Sequence, residues 1–157
     1  MEIQISNRQK AHRLPPKHRI LKKTQAVLNA LGSRDAELSI LITDDAAIAE
    51  LNRAYLKRSG PTNVIAFPMR EGDFAEVTPG LLGDVVISAD TALREARSMG
   101  ITLEARFTEL LVHGILHLLG YDHERSRAQA KKMETKTGEL LEMLASLENA
   151  GNRKKAP

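Results

Sequence analysis

The segment His113-Gly114-Ile115-Leu116-His117-Leu118-Leu119-Gly120-Tyr121-Asp122-His123 holds three of the chain's five histidines, and its spacing dictates what the rest of the chain must build. His113 and His117 are four positions apart, so in a helix their rings lie one turn apart on a single face. Leu111, Ile115 and Leu118 then fall on the opposite side, where a core can take them. Gly120 can adopt the left-handed conformation that ends a helix and turns the chain back. His123 can swing round after that turn as a third ligand. Two imidazoles from one helical turn and a third after a glycine reversal suit Zn²⁺. They leave its fourth position open, as catalytic zinc sites do and closed structural sites do not.

Working outward, this helix spans about Leu103 to Leu119, and the segments before it alternate strands with helices. Glu2–Ser6 alternates Ile3 and Ile5 with polar residues and reads as a strand. After Pro15-Pro16, Lys17–Leu31 spaces Ile20, Leu21, Leu28 and Leu31 as a helix that stops at Gly32. Glu37–Thr43 is a second strand, and Thr43 or Asp44 caps a helix from about Asp45 to Leu56. Gly60-Pro61 breaks it, Thr62–Phe67 is a third strand closed by Pro68, and Met69–Gly80 reads as a loop. Leu82–Ser88 contains a fourth strand, and Ser88 caps a helix ending at Gly100. Ser126 and Gln129 form a capping box for a last helix reaching about Ala150. The expected fold class is α+β, with a small mixed four-stranded sheet and about five helices in one domain over residues 1–150. Residues 151–157 read as a basic, disordered tail.

At 157 residues, 42% hydrophobic and 27% charged, the chain suits one ordinary core. No run of about 18 apolar residues exists, so no membrane span is expected. The N-terminus lacks the basic and apolar stretches of a secretory signal. The absence of cysteine excludes disulfides, thiolate nucleophiles and iron–sulfur clusters and favours a cytoplasmic location. Any transition metal must therefore be held by nitrogen and oxygen. The net charge of +3 hides an asymmetry: residues 1–34 carry eight Lys/Arg against Glu2, residues 35–152 twelve against nineteen acids, and Arg153, Lys154 and Lys155 follow. Basic ends around an acidic middle suit a polyanion partner, although a solvated helix face explains them equally well. With only Tyr55, Phe67, Phe74, Phe107 and Tyr121 as aromatics, a platform that stacks successive bases is not expected. Phosphate contacts should dominate any nucleic-acid binding.

The histidine spacing matches that of metzincin proteases, H-x-x-x-H-x-x-G-x-x-H. Those enzymes need Glu directly after the first His as general base, and here Gly114 stands there. Peptide hydrolysis thus loses its proton acceptor.

His113-Gly114-x-Leu116-His117-Leu118-x-Gly120-Tyr121-Asp122-His123 resembles the signature of the YbeY family, bacterial metal-dependent endoribonucleases of ribosomal RNA maturation. Leu51-Asn52-x-x-Tyr55 with Pro61-Thr62-Asn63-Val64-Ile65-Ala66-Phe67-Pro68 resembles a second family block, and Leu82-Gly83-Asp84-Val85-Val86-Ile87-Ser88 a third. The resemblance spans roughly residues 38–135. The chain departs from it at Leu56, where many members carry an Arg linked to RNA handling, and at Ala66, where Ser is common. The resemblance implies a zincin-like fold and cleavage of single-stranded RNA near the 3′ end of small-subunit (16S) ribosomal RNA, in maturation and ribosome quality control. The partners it implies are ribosomal RNA, the small ribosomal subunit, one of that subunit's proteins and the GTPase Era.

The mechanism expected is zinc-assisted phosphodiester hydrolysis, with one Zn²⁺ on His113, His117 and His123. The ion lowers the pKa of a bound water toward ~7 or stabilises the pentacoordinate phosphate. Asp122 either orients a ligand imidazole or serves the turn after Gly120. Glu109 and Arg106 share the His113 face one and two turns earlier and either reach the cleft or pair on the helix surface. Arg53, Lys57, Arg58, Lys17, Lys22 and Lys23 are candidates for the RNA track. Alternatives are a metallohydrolase acting on peptide and a non-catalytic ribosome-assembly factor with a structural metal.

Overall fold

A computed structural model describes residues 1–69 and 80–155. The loop expected at Met69–Gly80 lies almost wholly outside the described residues. Four strands, β1 (Glu2–Asn7), β2 (Glu37–Thr43), β3 (Val64–Pro68) and β4 (Leu81–Ser88), form one sheet in the order β1-β2-β4-β3. β1, β2 and β4 run parallel, and β3 pairs antiparallel with β4 at the sheet edge. Among the described residues there are five helices: α1 (Lys17–Ala30), α2 (Asp45–Leu56), α3 (Ala89–Met99), α4 (Leu103–Leu118) and α5 (Arg127–Lys155). The expected α+β class, the mixed four-stranded sheet and the helix count are all present.

Strand alternation decides which helix packs where. Leu38, Ile40 and Ile42 of β2 and Val85 and Ile87 of β4 point to one face and share the main core with Ile20, Val27 and Leu28 of α1 and Leu111, Ile115 and Leu118 of α4. Leu41, Val86, Ile65 and Phe67 point to the other face and cluster with Ile48 and Leu51 of α2. α4 is therefore buried along one side and pressed against β3 and β4. This contact sets the position of His113 and His117 on α4.

Local chemistry places the helix ends. Asp44 accepts the N–H of Ala47 (2.9 Å), and Thr102 accepts that of Ala105 (3.0 Å). Ser126 accepts the N–H of Gln129 (3.1 Å), which is half of the expected capping box. The last helix, expected to reach about Ala150, continues as α5 to Lys155. Residues 156 and 157 lie outside the described residues. Among the described residues no helix is long and apolar enough to cross a membrane.

Candidate metal centre

α4 delivers the site through its own termination. Gly120 takes a φ of 94°. Its N–H donates to the His117 C=O (3.0 Å), and the Tyr121 N–H reaches back to the Leu116 C=O (3.0 Å). Together these are the two bonds of a Schellman ending, which satisfies the last carbonyls and reverses the chain. The reversal returns His123 to the face carrying His113 and His117. The ring centroids of His113 and His117 are 4.5 Å apart, and that of His123 lies 5.4 and 5.3 Å from them. One ligand nitrogen from each ring falls within 4.8 Å of the others.

The donor set fits a divalent cation. Nε2 of His117 lies 3.0 Å from Nε2 of His113. Nitrogens bound tetrahedrally at the usual zinc distance of about 2.0–2.1 Å sit roughly 3.3–3.4 Å apart, so little movement separates this arrangement from a loaded one. Burial first, then the neighbouring His117, His123 and Arg106 charges, push the His113 imidazole down to about 4. Burial and His123 also hold His117 below its ordinary value, against an upward pull from Asp122 and the Tyr121 backbone. Both rings are therefore neutral at pH 7, the form that binds metal.

The three rings open into a cleft of about 580 Å³ bounded by β3, by the α2–β3 connection and by the turn after α4, with Arg58, Asn63, Ala66 and Arg125 on its walls. Asn52, buried in α2, fixes that connection. Its side chain donates to the Gly60 C=O (2.9 Å), and its own C=O accepts the Arg58 N–H (3.2 Å). Gly114 also faces the cleft, where α4 meets the sheet. A Cβ built there would stand 2.6 Å from Cγ1 of Val85 and 3.3 Å from Cγ2 of Val64. The position at which a metzincin carries its glutamate is thus a close helix–sheet approach with no room for a side chain.

The other candidates are spread more widely. Asp122 lines the cleft and serves its turn, accepting the Glu124 N–H (2.8 Å) and pairing with Arg125 (3.3 Å). Arg106 and Glu109 pair at 3.1 Å. Arg106 also forks onto Oε1 of Glu95 through Nε and a terminal nitrogen, both at 3.0 Å, and both Glu95 oxygens accept from Asn63 (3.2 Å). That chain steadies a cleft residue from behind. Among the cations expected along an RNA track, Arg58 alone lines the cleft. Arg53 is exposed and pairs with Glu50 (3.0 Å), and Lys57 ends α2 with φ 57°. Lys17 and Lys22 are exposed on α1, and Lys23 is drawn between Glu104 and Glu148 at 3.3 Å each. Sequence reasoning missed Arg125, although it stands two positions after His123.

Similarity to known proteins agrees with this geometry. Residues 4–145 match the family model described as Endoribonuclease YbeY. The chain belongs to the YbeY family. It is 51% identical over 152 residues to an "Endoribonuclease YbeY" of Geobacter sulfurreducens, covering 96% of this chain and 99% of that one. To the protein of the same name from Aquifex aeolicus it is 47% identical over 129 residues, covering 82% and 84%. The solution structure of TM1509 from Thermotoga maritima covers 99% of this chain and 96% of its own with a TM-score of 0.65 at 24% identity, a likeness of fold. YbeY membership makes the chain an endoribonuclease, and its histidine trio is a group that could hold the metal of such a nuclease.

Proposed function

We propose that the chain hydrolyses single-stranded RNA at one divalent ion, zinc by choice of donors, in cytoplasmic maturation of the 3′ end of 16S ribosomal RNA and in ribosome quality control. The observation that carries this reading is the convergence of three imidazoles in an open cleft beside Arg58 and Arg125. His113, His117 and His123 would hold the ion. When bound, a divalent cation supplies Lewis acidity toward a phosphodiester and toward water. Arg58 and Arg125 bind phosphate oxygens and set the strand's position, and Arg can do so through two parallel N–H donors. The Glu95–Asn63 bonds hold one cleft wall still while the strand lies against it.

The peptide reading is disfavoured because Gly114 offers neither a base nor the space for one. Small-subunit RNA, a protein of that subunit and the GTPase Era are the partners this function would need.

Metal analysis of the purified protein with cleavage of 16S RNA, before and after chelation, tests the proposal. The expected result is about one zinc per chain and cleavage that disappears with the metal and returns on adding zinc. His117→Ala should abolish cleavage with RNA affinity within about twofold. Cleavage that survives complete metal removal would overturn the mechanism. Lost folding in His117→Ala with no cleavage by either form would favour a scaffold with a structural metal.

A further inference from the structure

β3 is the edge of the sheet, and its outer side faces the metal cleft. Ser88 N–H donates to the Asn63 C=O (3.0 Å) and Met69 N–H to the Leu82 C=O (2.9 Å). With the β3–β4 register, these bonds place Ile65 and Phe67 in the hydrogen-bonded positions and turn the backbone groups of Val64, Ala66 and Pro68 outward. The same three residues line the cleft with His113 and His117.

An outward strand edge is ordinarily a template for another peptide strand. This one is blunted at both ends. The Val64 N–H is taken by the Asn63 side-chain oxygen at 2.7 Å, and Pro68 has no N–H. Ala66 is left as a single residue whose N–H and C=O point the same way, with no partner among the described residues. A peptide ladder needs a row of such donors, whereas one donor beside one acceptor is what the Watson–Crick edge of a base matches. Each of the four bases presents an adjacent acceptor and donor there, and in a duplex both are occupied.

We propose that the Ala66 N–H and C=O bind the Watson–Crick edge of one unpaired base, so that the strand is held beside the metal only where it is single. Arg58 and Arg125 take the flanking phosphates while Ala66 takes the base, a division that single-stranded RNA recognition commonly uses. The side chain at position 66 contributes nothing to the pairing, so the selection is for unpaired bases rather than for a sequence. This inference rests on the reading of the substrate as single-stranded.

The test is a walk of one 3-methyluridine through a single-stranded oligouridylate, with cleavage by the zinc-loaded protein as readout. The methyl group removes the N3 donor from one base edge at a time. At one position it should slow cleavage about tenfold or more, and elsewhere by less than twofold. Ala66→Pro removes the N–H from a strand edge that tolerates proline. It should cut the unmodified strand about tenfold more slowly and lose the sensitivity to methylation. The walk on the unaltered protein decides the matter even where that variant fails to fold. Indifference to methylation at every position would overturn the proposal, as would undiminished sensitivity in Ala66→Pro. Equal cleavage of duplex and single strand would instead overturn the single-strand reading beneath it. Casein hydrolysis in place of RNA cleavage would put a peptide on the edge and refute both.

Discussion

Gly114 sits between His113 and His117, and its lack of a side chain has a packing cause rather than a catalytic one. Val85, against which a Cβ would press at 2.6 Å, is fully buried and has nowhere to retreat. Alanine is the better helix former by roughly 1 kcal/mol, but overpacking at such a contact costs about 1–3 kcal/mol. Gly114→Ala should therefore destabilise the protein by about 1 kcal/mol, read as a lower denaturation midpoint at unchanged m-value. Adding Val85→Ala should cost less in the Gly114→Ala background than in the parent, because the methyl then fills space that the valine gave up. Equal costs in both backgrounds would mean that the contact is not tight. The histidine trio was legible in the sequence because its determinants are local: an i, i+4 pair and a glycine stop. The reason for Gly114 was not, because it depends on β4 passing beneath α4, twenty-nine positions away in the sequence for Val85. Ala66 was equally opaque, since the significance of its backbone appears only once β3 is known to be an edge.

Among the elements, α1 shows where charge patterning misleads. Lys17, Lys22 and Lys23 read as candidates for an RNA track, but the helix also packs against α4 and α5. Lys23 is only 12% exposed and donates to Thr108 Oγ1 (3.0 Å) while lying 3.3 Å from both Glu104 and Glu148. It therefore bridges α1, α4 and α5. Burial alone would raise the Glu148 carboxyl, but Lys23 and Arg19 outweigh it and hold it below the usual range. Lys23→Ala leaves two carboxylates facing each other with a reduced counter-charge. The partial exposure of both carboxylates limits the loss to roughly 1–2 kcal/mol. Urea unfolding should show that loss, while the affinity for single-stranded RNA stays within about twofold. A tenfold loss of affinity at unchanged stability would return Lys23 to the RNA track. The strands and helix starts were readable from alternation and caps such as Asp44 and Ser88. How α5 folds back over α1 was not, because nothing near residue 23 encodes the position of Glu148.

For the molecule as a whole, the neutral imidazoles couple folding, metal and pH. His113 and His117 are both held below the ordinary value of 6.5, His113 to about 4 and chiefly by burial. As pH falls below 6.5, the unfolded chain takes up protons that the folded chain refuses, and stability declines with pH. The contribution is complete above pH 6.5 and is lost on the way down to about 4, where His113 itself protonates in the fold. For His113 the whole change amounts to roughly 3 kcal/mol at most. Asp45 adds a second, more acid phase: burial would raise its carboxyl, but bonds from Arg94, Thr91 and Ser88 hold it below 3.8, so its contribution fades only below that value. Zinc at the proposed site should act in the opposite sense, because it would bind the same lone pairs as the protons. At a thousandfold excess over its dissociation constant it should stabilise the fold by about 4 kcal/mol. The thermal midpoint of the metal-free protein should thus fall between pH 6.5 and 4, and the gain from zinc should shrink over the same interval. In His113→Gln the first phase should shrink to the share of His117 and most of the zinc gain should vanish at every pH, leaving the carboxylate phase in place. A metal-free midpoint that stays level from pH 6.5 to 4 would show that folding does not hold these rings neutral, and that metal loading has no protonation barrier to exploit.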